Sequence, residues 1–268
     1  MLWNFLFRNI KIMNTPLVSI ITATYNSSAT LQLCIDSVAK QVYPNIQYII
    51  VDGGSKDETV SIIKNNEGFV SDWISEPDNG VYDAWNKGLK LAKGEWILFL
   101  GSDDSLYNDA ISNYIDFISS NNFNYDLVSS RIHITNSSNE VIRTFGWPWV
   151  WPKSGRVCTI AHPGAFHHTR LFKQYGLYDS NYRICGDYEF LLRAGEKLNA
   201  GFMDKITVRM QVGGLSDSYK VYLETFKVVR ETGKLNLFVA SFDFAKEYSK
   251  FIVKRVFRKM GINLALKK

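Results

Sequence analysis

From Val18 to Leu100 the chain alternates short apolar, β-branched runs with segments of helical periodicity, and this order narrows the possible folds more than any other feature. Val18 to Thr22 is the first such run; it breaks into the polar loop Ala23-Thr-Tyr-Asn26, and a helical pattern follows over Ser28 to Lys40. Ile46 to Val51 is a second strand, ending in the turn Asp52-Gly-Gly-Ser55. Ser55 followed by Glu58 has the form of a capping box, which predicts a helix starting there and carrying Val60, Ile62 and Ile63. Trp73 to Ser75 is a third strand and Glu76-Pro-Asp-Asn-Gly80 a loop. Val81 to Ala92 is a third helix with Gly94 just past its end, and Trp96 to Leu100 is a fourth strand. This order predicts an α/β fold, a mostly parallel sheet with helices on both faces.

Ligands of such sheets bind at the carboxyl ends of the strands. The residues just after the strands are Ala23 to Asn26, Asp52 to Gly54, Glu76 to Asp78 and Ser102 to Asp104, so several carboxylates are expected along one edge. The second half is less regular. Helices are expected over Asn108 to Ser119, Arg170 to Tyr175 and Tyr188 to Lys197, and strands over Leu127 to Ile134, Val141 to Phe145 and Ile206 to Val212. Trp147-Pro-Trp-Val-Trp-Pro152 is an aromatic loop, and the remainder is helical and basic. There are no internal repeats and no low-complexity linker, so the halves are expected to share one core.

Adjacent aspartates such as Asp103 and Asp104 repel each other unless a proton or a cation intervenes. A hard cation, Mg²⁺ or Mn²⁺, suits oxygen ligands and is held by one or two carboxylates plus substrate phosphates. An Asp-Asp pair is also a common solvated turn, and its place after the fourth strand is what favours the cation. Asp52 directly follows a strand, where a carboxylate accepts from a base N–H or a ribose hydroxyl, or else from its own turn. No G-x-G-x-x-G follows the first strand and no G-x-x-x-x-G-K-[ST] occurs, which argues against a dinucleotide cofactor and an NTPase.

Thr22-Ala-Thr-Tyr-Asn26, Val51-Asp-Gly-Gly-Ser-Lys-Asp57, Glu76-Pro-Asp-Asn-Gly80, Asn86-Lys-Gly88, Ala92-Lys-Gly94 and Phe99-Leu-Gly-Ser-Asp-Asp104 together resemble the successive motifs of bacterial family-two inverting glycosyltransferases. The likeness is strong over residues 17–105 and continues more loosely to about 215. It implies a GT-A fold, with a nucleotide-binding half at 15–105 and an acceptor half at 106–215, followed by a helical basic tail at 216–268. It implies a nucleoside-diphosphate sugar as donor, of the UDP-sugar kind, and a saccharide or lipid-linked oligosaccharide acceptor in surface polysaccharide synthesis. By resemblance Thr22, Ala23, Tyr25, Asp52 and Asp103 bind the nucleotide. Asp78, Asn86, Lys87 and His162 lie on the donor diphosphate side, and Asp103 and Asp104 hold the metal, Asp104 directly. The family commonly has Asp-Ser-Asp-Asp; here Gly101 stands at the first aspartate. For Lys87 a solvated helix lysine is the plain alternative, and for His162 a structural loop histidine.

An inverting transferase needs a general base for the acceptor hydroxyl. Asp187 in Gly186-Asp-Tyr-Glu-Phe190 stands before a helical segment, where an N-cap role is the plain reading. The resemblance makes it the base, with Gly186 where the family has a glutamate. His167 and His168 are adjacent and would point apart on a strand, which gives no metal site. Gly213-Gly-Leu-Ser216 is either a mobile loop over the donor or an ordinary turn. The two glycine departures keep a second reading open, a non-catalytic sugar-nucleotide-binding module. A nucleotidyltransferase would need a glycine- and lysine-rich loop that Ala23 to Ser28 does not provide.

The three cysteines, Cys34, Cys158 and Cys185, are widely spaced and suggest a reducing cytoplasm. No run approaches the roughly 20 apolar residues that span a bilayer. Met1 to Met13 reads as a short amphipathic extension, with membrane contact and simple packing both open. The formal charge of +5 is unevenly placed: Lys250, Lys254, Arg255, Arg258, Lys259, Lys267 and Lys268 crowd the end. On a helix Ile252, Val253, Val256, Phe257 and Met260 share one face and Lys254, Arg255 and Arg258 the other. This predicts attraction to an anionic membrane surface, hence a cytoplasmic protein peripheral on the inner face of the cytoplasmic membrane, and no nucleic-acid partner; a surface helix packed on its own domain with solvated lysines is the plain alternative.

Overall fold

The computed structural model describes residues 15–136, 138–214 and 218–259, excluding the side chains of Lys254, Arg258 and Lys259. The expectations for Met1 to Met13, for Leu215 and Ser216, and for the tail from Met260 onward lie outside the described residues.

The predicted alternation is present. Strands β1 (Val18–Thr24), β2 (Ile46–Asp52), β3 (Asp72–Ser75) and β4 (Trp96–Gly101) are linked by helices α1 (Leu31–Ala39), α2 (Thr59–Asn65) and α3 (Val81–Leu91). All four run parallel, with β1 between β2 and β4 and β3 outside β2. Because side chains alternate along a strand, β1 feeds two cores. Ile20, Ile50 and Leu98 pack with Leu31 and Ile35 of α1. Ile21, Val51 and Phe99 pack with Tyr82, Ala84 and Trp85 of α3.

Helix α2 starts later than the capping box predicts. Ser55 Oγ accepts from the Asn26 amide and donates to Asp52, so it is turned toward the loop after β1 and does not cap. Asp57 takes over instead, accepting from the Thr59 amide at 3.0 Å and from the Thr59 hydroxyl at 2.5 Å.

After β4 the chain forms β5 (Ser105–Leu106), α4 (Ala110–Ser120), β6 (Leu127–Thr135), β7 (Val141–Phe145), β8 (Ala165–His168), α5 (Arg170–Tyr175), α6 (Gly186–Ala194) and β9 (Ala200–Gln211). Helices α7 (Lys220–Glu231) and α8 (Leu237–Lys259) follow. β5 and β8 are too short to show a period in the sequence, and β9 begins six residues before the predicted strand at Ile206. β8 matters most. It pairs antiparallel with β4 on one side and with β6 on the other. One sheet of order β3-β2-β1-β4-β8-β6-β9-β5, with β7 on β6, therefore runs through both halves. His167 and His168 do point apart across β8: His167 is buried, while His168 reaches Glu95. No described helix is long and apolar enough to cross a membrane.

Helix α3 lies close on the sheet because of Gly88. A Cβ there would come 2.4 Å from the Ile21 side chain and 3.4 Å from Val51. Gly88→Ala is expected to lift α3 and cost roughly 1–3 kcal/mol, read as a lowered denaturation midpoint with unchanged slope.

Candidate active site

The loops after β1, β2, β3 and β4 meet at one edge and are tied together by short polar contacts. The Asn26 amide donates to Ser55 Oγ at 2.7 Å and the Lys56 amide to Asn26 Oδ1 at 2.8 Å. The Ser28 amide donates to Asp57 at 3.0 Å, and Ser102 Oγ to Ser27 Oγ at 2.8 Å. The Thr59 hydroxyl foremost, with the Ser28 amide, holds the Asp57 carboxyl well below the usual range.

Several residues predicted to touch substrate are committed to this framework instead. Thr22 is buried on β1, with its hydroxyl 3.2 Å from Tyr48 Oη and 3.7 Å from Cys34 Sγ, facing the α1 core rather than the edge. The Asp52 carboxylate is also buried. It accepts from the Gly54 amide at 3.1 Å, the Ser55 amide at 3.0 Å, Ser75 Oγ at 2.6 Å and Ser55 Oγ. Asn86 bonds the Tyr178 backbone twice, at 2.8 and 3.0 Å, clamping α3 to the second half. Lys87 Nζ donates to Pro77 O at 2.8 Å and pairs with Glu76 at 2.9 Å. His162 stacks on Trp85 at 4.5 Å between centroids, with Nε2 3.0 Å from Tyr178 Oη. Burial pushes its pKa down to about 3, so it is a neutral aromatic core residue.

The open part of the edge is a cavity of about 390 Å³ lined by Tyr25, Gly53, Gly54, Lys56, Pro77 and Asp78. Tyr25 is 61% exposed, a flat ring at the cavity wall. Ala23 lies at the end of β1, on the α3 side of the sheet. Asp78 Oδ1 accepts from the Gly80 amide at 2.8 Å, and its other oxygen faces Gly53, where a Cβ would come within 2.6 Å.

Beyond β4, Asp103 is exposed and Asp104 is only 5% exposed. Asp104 Oδ2 accepts from the Gly101 amide at 3.2 Å, while the buried Oδ1 has no hydrogen-bond partner among the described residues. A Cβ at Gly101 would lie 2.9 Å from an oxygen of each aspartate, so both carboxylates fold back over that glycine. An aspartate at 101 would displace them. Burial first, then the Asp103 charge, pushes Asp104 up to about 8. Ser105 opposite Arg209 aligns β5 with β9 and brings the Gln211 backbone, which favours the ionised form, to Asp104.

Among the described residues no cluster of three or more His, Cys, Asp or Glu side chains forms a cation cage. A bare, buried carboxylate oxygen beside a second carboxylate still fits Mg²⁺ or Mn²⁺, provided phosphate or water oxygens complete the shell. Asp104 and Asp103 would hold it.

Asp187 sits in the first turn of α6 rather than before it. Its Oδ1 accepts from Tyr82 Oη at 2.9 Å, and burial raises its pKa. The preceding backbone is pinned by Glu224 of α7, which accepts from the amides of Arg183, Ile184 and Cys185 at 2.8–2.9 Å. Neither Tyr82 nor Glu224 carried a signal in the sequence, since each meets its partner from a distant segment.

A sequence model described as glycosyl transferase family 2 matches residues 19–179. The chain belongs to that family. A "PGL/p-HBAD biosynthesis glycosyltransferase" of Mycobacterium bovis is 35% identical over 215 residues, covering 77% of this chain and 81% of the relative. Among solved structures, residues 1–349 of S. aureus TarS in complex with UDP match with a TM-score of 0.63 at 19% identity, over 90% of this chain and 72% of that one. This chain spans 39% of a longer TarS chain. A mannosyltransferase from Pyrobaculum calidifontis, in complex with GDP-Man and Mn²⁺, gives 0.61 at 17% identity, over 81% and 65%. The α/β architecture is that of GT-A glycosyltransferases.

For this family-2 glycosyltransferase, Asp104 predicts a linked pH and metal response. Its raised pKa contributes stability below about pH 4 that is lost as pH climbs to about 8. Without metal, thermal stability is expected to fall across that window more steeply in wild type than in Asp104→Asn. Mn²⁺ is expected to raise the wild-type melting temperature more at pH 8 than at pH 6, and to leave Asp104→Asn nearly unmoved, as read by scanning fluorimetry.

Proposed function

We propose that this glycosyltransferase moves a sugar, with inversion, from a nucleoside-diphosphate donor of the UDP-sugar class to a saccharide or lipid-linked oligosaccharide acceptor in surface polysaccharide synthesis. The observation that carries the reading is Asp104, a buried carboxylate with a bare oxygen at the carboxyl edge of the sheet, the edge whose other loops line a cavity of about 390 Å³. That volume lies within the range of small-ligand pockets. The M. bovis glycosyltransferase, the TarS complex with UDP and the mannosyltransferase complex with GDP-Man support the same class of reaction.

In this reading residues 15–105 form the donor half, 106–215 the acceptor half and 216–268 the tail. The base stacks on Tyr25 over Gly53 and Gly54, with Asp78 and Lys56 at its rim. Asp52 supports it indirectly, by fixing the loop. Asp103 and Asp104 would hold Mg²⁺ or Mn²⁺, which would supply positive charge at the diphosphate. Asp187 accepts the proton of the acceptor hydroxyl as that oxygen attacks the anomeric carbon. Burial makes this carboxylate a stronger base than an exposed one.

Turnover of a panel of UDP-glucose, UDP-galactose, UDP-N-acetylglucosamine and GDP-mannose with Mn²⁺, followed by mass spectrometry, is expected to select a UDP-sugar. Tight UDP binding without turnover of any donor would instead support the non-catalytic module that Gly101 and Gly186 keep open. Asp187→Asn is expected to lower kcat roughly 100- to 10,000-fold while leaving UDP affinity unchanged.

The membrane reading draws on α8. Phe244, Tyr248 and Phe251 pack toward Tyr222 and Phe226 of α7. The opposite side exposes Phe238 (83%) and Phe242 (67%), then Ile252, Val253 and Val256, with Lys246 and Arg255 also exposed. An apolar stripe flanked by cations suits an anionic lipid interface and supports the reading of a protein peripheral on the inner face of the cytoplasmic membrane. The stripe extends further toward the start of α8 than the sequence pattern indicated, and Phe257 is not part of it. Phe238→Glu with Phe242→Glu is expected to abolish sedimentation with phosphatidylglycerol vesicles and to leave turnover of a soluble acceptor intact.

A further inference from the structure

We propose that Tyr82 is the positioning residue for Asp187: its hydroxyl orients the carboxylate so that one oxygen is held and the other is presented to the acceptor. This rests on the reading of Asp187 as the general base.

Tyr82 comes from the second position of α3, in the donor half, and is 3% exposed. Its hydroxyl lies 2.9 Å from Asp187 Oδ1 and 2.7 Å from the Ile184 carbonyl oxygen. Among the described residues it is the one side chain hydrogen-bonded to Asp187. The ring is fixed edge-on to Trp85 at 5.4 Å and tilted against Tyr178 at 5.5 Å. Gly186 admits it, because a Cβ at that position would come 2.8–3.0 Å from three carbons of the Tyr82 ring. The glycine that interrupts the family's usual acidic pair is therefore the residue that lets a tyrosine reach the remaining aspartate.

The two acceptors on one hydroxyl have a chemical use. A phenol has one proton to donate. While Asp187 is ionised, that proton points at Oδ1. When Asp187 takes the acceptor proton, the Tyr82 O–H turns to the Ile184 carbonyl and stays hydrogen-bonded, and no proton leaves Tyr82. Burial, then the Asp187 charge, raises the Tyr82 pKa well above 10, which keeps it a donor throughout. The groups facing Asp187 are Tyr82 from α3, Tyr178 and Cys185 from the preceding loop, and Glu224 from α7. Of these, Tyr82 opposes the effect of burial by bonding the ionised form, whereas the Glu224 charge adds to it.

The test is Tyr82→Phe, which keeps the ring and removes the hydroxyl. The ¹³C resonance of the Asp187 carboxyl, assigned by its absence in Asp187→Asn, is expected to titrate about one pH unit higher than in wild type. For the donor selected by the panel above, kcat is expected to fall roughly ten-fold, with its acid limb displaced to higher pH, while UDP affinity is unchanged. 3-Fluorotyrosine at position 82 has nearly the same shape and a stronger O–H donor. It is expected to move the carboxyl titration the opposite way, and it serves where Tyr82→Phe does not fold. Unchanged titration and turnover in both variants overturn the proposal, as does a loss of UDP affinity with kcat intact. Wild-type turnover in Asp187→Asn overturns instead the assignment of the base on which it rests, and the same set of variants reads it.

Discussion

Asp52 is a carboxylate with no solvent around it, and two amides and two hydroxyls supply what water would have given. An ionised group buried without such partners costs several kcal/mol, so the loop after β2 and the end of β3 are constrained to keep Ser55 and Ser75 in place. That constraint sets the wall of the cavity next to Gly53 and Gly54, and through Ser55 it reaches Asn26 in the loop after β1. The edge is thus one hydrogen-bonded object.

The first half of the fold was legible because its strands are continuous apolar runs, and runs of that kind are buried wherever they fall. The second half was not, because β8 is four residues long and includes two histidines. Its strand character comes from pairing with β4 and β6, which the local sequence does not encode. The edge residues divide in a similar way. Motifs located the edge at Tyr25, Asp78, Asp103 and Asp104, but motif position alone does not separate a side chain that faces substrate from one that holds the loop. Thr22, Asn86 and His162 all lie in motif segments or close to them, and each is hydrogen-bonded inside the protein, although His162 Nδ1 has no partner among the described residues. The converse omission is Tyr82, a buried ring of α3 whose hydroxyl meets Asp187 from a distant segment.

Asp104 and Asp187 show two answers to the same electrostatic problem. Both are carboxylates that burial pushes toward the neutral form. Asp104 has a second carboxylate beside it and a bare oxygen, a combination that favours a cation. Asp187 has a phenol donor instead, which eases its burial without cancelling its basicity. A like charge in one case and a neutral donor in the other suit the two groups to different partners.

The sheet that passes from β4 through β8 to β6 has a consequence for motion. Hinge closure of two lobes needs a seam where few backbone hydrogen bonds cross, and here residues 15–105 and 106–215 are joined through β8, which pairs three residues with β4 and three with β6. A hinge at that seam would have to break backbone pairs, a cost that segments outside the ladder do not carry.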